Sequence, residues 1–325
     1  MAVEMEGIPY EILVRWLAII LPIYLIGWGI GFTNLWLGNL EETLARLDKM
    51  VEFFDLILHG KLHKIYGIDP GVACYLWSSW VLWLLGLPEK ALTRGQQAID
   101  LCNLLVDPAN QLFALDIFSF LHLFMRKRGE VDKLLESLKT TLEKNPVPLY
   151  VAEQEFLEGF FRVQNGENEK GIDQMTSGIE GYKAIGTRSQ LSIRMVVLAE
   201  AYLANKQWDK AAQVIERVED FIEETDERFF HAELLQLKGQ LLTHYDKMNE
   251  AEACTLKAVQ IAQEQKAKTL ELRAVMSLAR LWAGKGRAEE AYNVLKGVYR
   301  WFTEGFDTPD LKEARELLKN LAQRK

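Results

Sequence analysis

Two histidines, His59 and His63, are the clearest candidates in the sequence for a metal-binding pair. Their spacing of four residues would place both imidazoles on one face of a helix, where they could hold a metal ion together. Gly60 lies between them, however, and the neighbouring sequence offers no third ligand. We therefore interpret the pair as the end of a helix that runs into the loop at Tyr66 and Gly67, and we predict no metal site.

The sequence also lacks the residue patterns of a catalytic or nucleotide-binding site. Cys74, Cys102 and Cys254 have no base beside them that would activate a thiol, so we interpret them as packing residues. Their odd number and wide spacing predict no disulfide framework and favour a reducing compartment such as the cytoplasm. No phosphate-binding loop of the Gly-x-x-x-x-Gly-Lys-Ser/Thr type occurs in the sequence. We predict that the protein is not an enzyme and binds no cofactor.

The charge balance argues against one class of partner. The chain has 46 acidic and 38 basic residues and a net charge of −8, whereas a nucleic-acid-binding protein normally presents a basic face. We therefore predict no nucleic-acid partner. An acidic run at residues 223–227 could bind a basic protein, but we interpret it as a solvated turn between two helices.

The elements that position these residues are predicted to be helices throughout. Residues 149–308 contain no proline and are rich in residue types that favour helices. No segment alternates apolar and polar residues in the way that predicts a strand. Short breaks such as Asn165-Gly166 and Lys285-Gly286 are typical of turns between helices and too short for domain linkers.

A repeated pattern of small residues divides the chain into helix pairs. In the clearest units a small residue in one helix is followed twelve positions later by a small residue in the next helix. Small side chains at these points let two antiparallel helices pack closely. The pattern predicts seven pairs, the third of which has larger residues: Gly31/Thr43, Ser79/Ala91, His122/Leu134, Gly159/Gly171, Ala199/Ala211, Gly239/Ala251 and Ala279/Ala291.

The spacing of these pairs is typical of an all-α solenoid. We expect a hydrophobic N-terminal helix within residues 1–22 and a right-handed solenoid over residues 23–306. The solenoid should consist of about seven helix-turn-helix repeats of 37–48 residues. A C-terminal capping helix is predicted over residues 307–325, because Pro309 suits the first position of a helix.

The repeat resembles the tetratricopeptide repeat (TPR). That family has small residues at the same two points and an aromatic residue three positions after the first, as at Tyr202 and Trp282 here. The period of this sequence is about six residues longer than the usual period of the family. The resemblance implies a superhelix whose first helices line a concave groove that binds a protein or a peptide.

The last third of the chain carries a narrower resemblance. It is similar to the C-terminal helical-repeat region of large bacterial signalling ATPases that often carry an adenylate or guanylate cyclase domain. The segments that carry this resemblance lie at 231–242, 270–282 and 301–314, and residues 66–74 also look like a loop of that region. The catalytic motifs of those proteins do not occur in this sequence, so their chemistry is not implied.

These resemblances imply a non-catalytic protein-interaction scaffold or regulatory module of a bacterial signalling system. The alternative is a regulatory fragment of an ATP-dependent cyclase or transcriptional-regulator ATPase without its catalytic domains. By position in the repeat, the side chains expected to face the groove and bind a partner are Trp80, Trp83, Asp116, Arg126, Glu153, Phe160, Glu233, Gln240, Arg273 and Arg280. Arginine and aromatic residues are frequent anchors of such interfaces. For the two tryptophans, packing in the core is the alternative.

The N-terminal stretch is the most apolar part of the sequence. Residues 16–40 contain no charged residue, and this uncharged stretch is long enough for a membrane span. Pro22 and the glycines that follow it favour helices of a first repeat instead. We predict that the apolar face of residues 10–30 contacts another chain, a domain or a membrane. A membrane anchor through residues 16–40 is the alternative to a cytoplasmic protein.

Overall fold

The computed structural model describes residues 21–52 and 67–324 of the chain. Within these residues there are fifteen helices and no strand, so the predicted all-α fold is confirmed. The expected helix within residues 1–22 and the histidine pair lie outside the described residues, except for the first two residues of α1. In chain order the helices are α1 (Leu21–Leu37), α2 (Leu40–Glu52), α3 (Pro70–Leu84), α4 (Pro88–Leu105), α5 (Pro108–Phe124), α6 (Arg128–Lys144), α7 (Pro148–Gln164), α8 (Asn168–Ala184), α9 (Leu191–Ala204), α10 (Trp208–Thr225), α11 (His231–His244), α12 (Met248–Glu264), α13 (Lys268–Gly284), α14 (Ala288–Tyr299) and α15 (Pro309–Ala322).

Over the described ranges, seven helix pairs form the solenoid, and the same backbone turn closes the first helix of each. One residue in every such turn has a positive φ angle, and from the second turn onward these residues are 40 positions apart. Glycine suits this conformation, but three of the turns use a larger residue. The seven turn residues are Gly38, Gly86, Arg126, Gly166, Lys206, Asp246 and Gly286.

These turns correct the position of the third repeat. In the other six repeats the small pair lies seven residues before and five residues after the turn residue, and this rule selects Ser119 and Val131 in the third. Both are fully buried. The predicted pair His122/Leu134 is therefore wrong by three residues. Val131 is not a small residue, so the pattern of small residues did not identify the correct position. His122 instead occupies the place that Tyr202 fills two repeats later.

Two helices cross closely in the fourth repeat, α7 and α8. A Cβ atom placed on Gly159 would lie 2.5 Å from the carbonyl oxygen of Gly171 and 2.6 Å from the amide nitrogen of Met175. Both are backbone atoms, so they cannot move aside as a side chain can. The glycine pair therefore sets the distance between these two helices.

Helix α15 packs against α13 and α14. Its first residue is Pro309, as the sequence predicted. Leu311, Ala314 and Leu321 are buried, while the face with Lys312 is exposed. Over the described part of the chain, every helix is too short or too polar to cross a bilayer.

The superhelix curves until its last repeats touch its first. The consecutive first helices α5, α7, α9, α11 and α13 contact one another, which places them on the inner, concave side. The amide nitrogen of Arg228 donates to the carbonyl oxygen of Trp36 over 2.6 Å, and the hydroxyl of Thr269 donates to the carbonyl oxygen of Trp83. Glu304 accepts from the amide of Glu89 at 2.8 Å. The N-terminal half of the concave side is therefore covered by the C-terminal repeats.

Candidate partner-binding site

One position of the repeat changes its chemistry along the concave face. The residue that directly follows the small residue of each first helix is aromatic in repeats two to four and polar in repeats five to seven. These six residues, 40 positions apart, are Trp80, Phe120, Phe160, Glu200, Gln240 and Arg280. The concave face consequently has an aromatic half and a polar half.

The aromatic half is filled by its own side chains. Trp80 is 3% exposed, and its indole nitrogen donates to the carbonyl oxygen of Ile117 over 3.0 Å. Trp83 is 2% exposed, with its ring centre 5.3 Å from that of Phe124 and 6.3 Å from that of Phe230. Because Phe230 begins the sixth repeat, these contacts join repeats that are distant in sequence. Both tryptophans are part of the core.

Two of the predicted groove residues belong to a buried ionic cluster beside these aromatics. Glu153 accepts two hydrogen bonds from Arg194, one of them from Nε over 2.8 Å, and both side chains are 2% exposed. The guanidinium lies over the ring of Tyr182 at 4.5 Å. Burial and then the charge of Glu153 raise the pKa of Asp116 well above its usual value. Phe160 is buried in the same half.

The other five predicted residues come together around one cavity of about 310 Å³. It lies between α9, α11, α13 and α15, and the turn after α5 also reaches it. The predicted residues that line it are Arg126, Glu233, Gln240, Arg273 and Arg280. Partner binding by any of the ten residues stays a prediction.

Sequence reasoning missed several residues of this cavity, including Glu200, Gln236, Ser277, Asp310 and Glu313. Glu200 could have been found, because it lies 40 positions before Gln240 in the repeat. Asp310 and Glu313 gave no signal, since they belong to α15, which lies outside the repeats.

Arg273 is held on several sides at the inner end of the cavity. Its Nε donates to Asp310 over 2.9 Å, and its Nη2 donates to the carbonyl oxygen of Phe124 over 3.0 Å. The guanidinium also lies 5.4 Å from the ring centre of Trp83. Its contact with Glu233 is weaker, with 3.4 Å between Nη1 and Oε1. Arg273 therefore connects α15 with the adjacent sixth repeat and with the distant second and third repeats.

Glu233 is buried beside Arg273, with 5% of its surface exposed. Burial raises the pKa of its carboxyl to about 7, although the charge of Arg273 opposes this shift. At the outer end, Glu313 accepts from Arg280 over 2.6 Å and lies 3.7 Å from Arg126. These three rim side chains are 44–46% exposed. The cavity thus has an acidic interior and a basic, solvated rim.

The described residues contain no group of side chains arranged to hold a metal ion. Cys74 and Cys102 are buried and Cys254 is half-buried. Burial raises the pKa of the Cys102 thiol to about 12 and that of Cys254 to about 11. Both thiols are therefore protonated at neutral pH and are poor nucleophiles.

The architecture is similar to that of a solved Rap protein complexed with competence and sporulation factor. The match has a TM-score of 0.53, covers 94% of this chain and 100% of that chain, and has 9% sequence identity. The chain has a TPR-like fold. The chain also matches the apo form of RapI, with a TM-score of 0.46 and 12% sequence identity. That match covers 78% of this chain and 97% of that chain.

A third similar structure is a STAND signal-transduction ATPase with a tetratricopeptide repeat sensor, from Pyrococcus horikoshii. It matches 91% of the TPR-like chain with a TM-score of 0.44 and 16% identity, and the match spans 43% of the ATPase. The chain therefore covers less than half the length of that protein. No protein-family profile and no curated protein sequence matches the chain.

Proposed function

We propose that this chain is a non-catalytic regulatory or scaffold protein that binds a peptide, or a short segment of a partner protein, in the cavity between α9, α11, α13 and α15. The observation that supports the proposal is the change along the concave face from buried aromatic residues to accessible polar ones. Gln240 is exposed within the polar half, and Arg126 and Arg280 stand at the rim.

The size and chemistry of the cavity suit the end of a peptide better than a folded domain. Ligand pockets commonly have volumes of 300–1,000 Å³, and this cavity, at about 310 Å³, lies at the lower limit. Groups of both charges and the amide of Gln240 could pair with peptide carbonyl and amide groups. The Rap structure complexed with competence and sporulation factor supports a role in binding a factor.

We place the partner in a bacterial signalling system and the protein in the cytoplasm, on the resemblance of residues 231–242, 270–282 and 301–314 to signalling ATPases. The second candidate function is a regulatory fragment that acts on a separately encoded ATPase or cyclase, and the same segments favour it. Co-purification of the chain with a nucleotide-binding protein would support this second candidate. We also propose that the apolar face of residues 10–30 contacts another chain, a domain or a membrane.

Selection from a library of displayed random peptides tests the proposed site. We expect the selected peptides to bind the R126A/R280A double variant at least tenfold more weakly than the wild-type chain, because both rim arginines are lost. The matched control is Arg217→Ala, which removes an exposed arginine on α10 away from the cavity. Selection of no peptide, or equal binding to the double variant, would contradict the proposed function.

A further inference from the structure

Glu233 has a buried oxygen that lacks a hydrogen-bond donor. Its Oε1 accepts from Arg273, whereas its Oε2 has no hydrogen-bond partner among the described residues. A buried polar atom without a partner costs free energy, typically about 1–3 kcal/mol. Because Glu233 lines the cavity, the missing donor can come from a bound molecule.

The interior of the cavity has more acidic than basic groups. Glu200, Glu233 and Asp310 line it, and Arg273 is the basic group that lies among them. The guanidinium of Arg273 is already engaged by Asp310 and by the carbonyl oxygen of Phe124. Glu200 has neither a hydrogen bond nor an ion pair within the described part of the chain, although its charge raises the pKa of Glu233. A cation in this space would reduce the repulsion between the two glutamates.

The rim of the cavity favours acceptor oxygens, whereas the interior favours a cation. Arg126 and Arg280 share Glu313, so two guanidinium groups stand against one carboxylate. Their N–H groups can donate to a carbonyl or carboxylate oxygen of a ligand. A molecule with a cationic end inside and acceptor oxygens outside would match both ends of the cavity.

We infer that the cavity binds an ammonium group of a peptide, either its amino terminus or a lysine side chain, with the carboxylates of Glu233 and Glu200 as acceptors. This inference rests on the proposed peptide-binding function. An ammonium group is compact, carries a full charge and offers three donors. It would supply the donor that Glu233 Oε2 lacks and form a charge-assisted hydrogen bond.

A synthetic mixture of random five-residue peptides provides the probe. The peptide mixture is prepared either with free amines or with all of its amines acetylated, and each form is incubated with the full chain. Retained peptides are counted by mass spectrometry after gel filtration. We expect acetylation of the amines to reduce retention at least tenfold. Mixtures acetylated only at the amino terminus or only at lysine distinguish the two sources of the ammonium group.

Two variants test whether Glu200 and Glu233 cause the preference for peptides with free amines. We expect the E200Q/E233Q double variant, which keeps the shape of both side chains, to retain free and acetylated peptides equally. Glu216→Gln is the matched control, because Glu216 is exposed on α10 outside the cavity, and it should keep the tenfold preference. Equal retention of both mixtures by the wild-type chain, retention of neither mixture, or an unchanged preference in the double variant would overturn the inference.

The proposed function can survive the failure of this inference. A displayed peptide whose binding depends on Arg126 and Arg280 but persists after acetylation of its amines would support the proposed function. The same result would overturn the assignment of an ammonium ligand.

Discussion

At the scale of single residues, two buried glutamates in equivalent positions have different surroundings. Glu153 and Glu233 both lie six residues before the small residue of their first helix, two repeats apart. Glu153 is paired in bidentate fashion with Arg194 in the core. Glu233 shares Arg273 with Asp310 and faces a cavity. The same position of the repeat therefore stabilises the core in one case and lines a site in the other.

The buried pair predicts a large loss of stability when its cation is removed. Arg194→Ala leaves Glu153 uncompensated in the core and should lower the free energy of unfolding by about 3–5 kcal/mol. The matched control is Arg162→Ala, which breaks an exposed pair with Glu167 and should cost less than about 1 kcal/mol. Denaturant unfolding measures both values. Equal costs for the two variants would show that the buried pair is not a strong stabilising contact.

The cavity predicts a dependence of ammonium binding on pH. The free chain holds a proton on Glu233 below its pKa of about 7, and an ammonium group requires the carboxylate. Affinity for a free-amine peptide should therefore fall by up to about tenfold per pH unit as the pH drops from 7 toward 5. The charged groups that line the cavity around Glu233 are Arg126, Glu200, Arg273, Arg280, Asp310 and Glu313.

Calorimetric titration with one retained peptide at pH 5, 6, 7 and 8 measures this dependence. Glu233→Gln removes the titrating group and should flatten the profile. A wild-type affinity that does not change over this range would show that Glu233 is not the group that titrates on binding.

At the scale of elements, the distance between paired helices depends on single small residues. The crossing of α7 and α8 has no space for a Cβ atom at Gly159, whereas Gly297 in α14 has no neighbouring atom within 4 Å of such a Cβ. The same substitution at these two glycines should therefore have opposite effects.

Gly159→Ala should lower the free energy of unfolding by about 1–3 kcal/mol, because the helices must move apart. Gly297→Ala should raise it by up to about 1 kcal/mol, because alanine favours an exposed helical position. Thermal and denaturant unfolding measure both changes. A stabilised Gly159→Ala variant would indicate that the two helices can separate without loss of packing.

At the scale of the whole molecule, contacts between distant repeats make the solenoid less modular than a row of stacked units. Such repeats normally contact only their neighbours. Here Trp83 of the second repeat contacts Phe230 at the start of the sixth, and it also lies beside Arg273 of the seventh. The stability of the two ends should consequently be coupled.

Trp83→Ala tests this coupling. The loss of a buried tryptophan should cost about 3–5 kcal/mol, and amide hydrogen exchange should become faster in α11 and α13 as well as in α3. Leu104→Ala is the control, because Leu104 is 68% exposed, and it should stay within about 0.5 kcal/mol of the wild type. Faster exchange confined to α3 and its sequence neighbours would contradict the coupling.

The apolar N-terminal stretch gives a second prediction at this scale. Residues 10–30 are rich in large apolar residues, and a large exposed apolar patch would mark a contact surface. Ile30 and Leu37 of α1, near this stretch, are 39% and 41% exposed. We expect the purified chain to self-associate or to require detergent, and removal of residues 1–22 to reduce this behaviour. Light scattering measures it. A strictly monomeric chain at high concentration without detergent would refute the prediction.

The helical fold, the helix pairs and the last helix could be predicted from the sequence because they depend on local properties. Helix propensity, the positions of proline and the spacing of small residues act within about forty residues of chain. The predicted position of the third repeat was wrong because Val131, which is not small, occupies a position that the pattern required to be small. Its turn residue, Arg126, became evident only from the positive φ of the backbone.

Which part of the concave face is buried and which part is accessible was decided by the tertiary structure alone. Position in the repeat predicts that a residue faces inward, but the curvature that accumulates over seven repeats determines what lies opposite. That curvature brings Arg273 to Phe124 and Thr269 to Trp83, and it covers the aromatic half of the face. In the polar half, the charged side chains of the rim stay exposed because the burial of a charge is costly, and this is where the cavity forms.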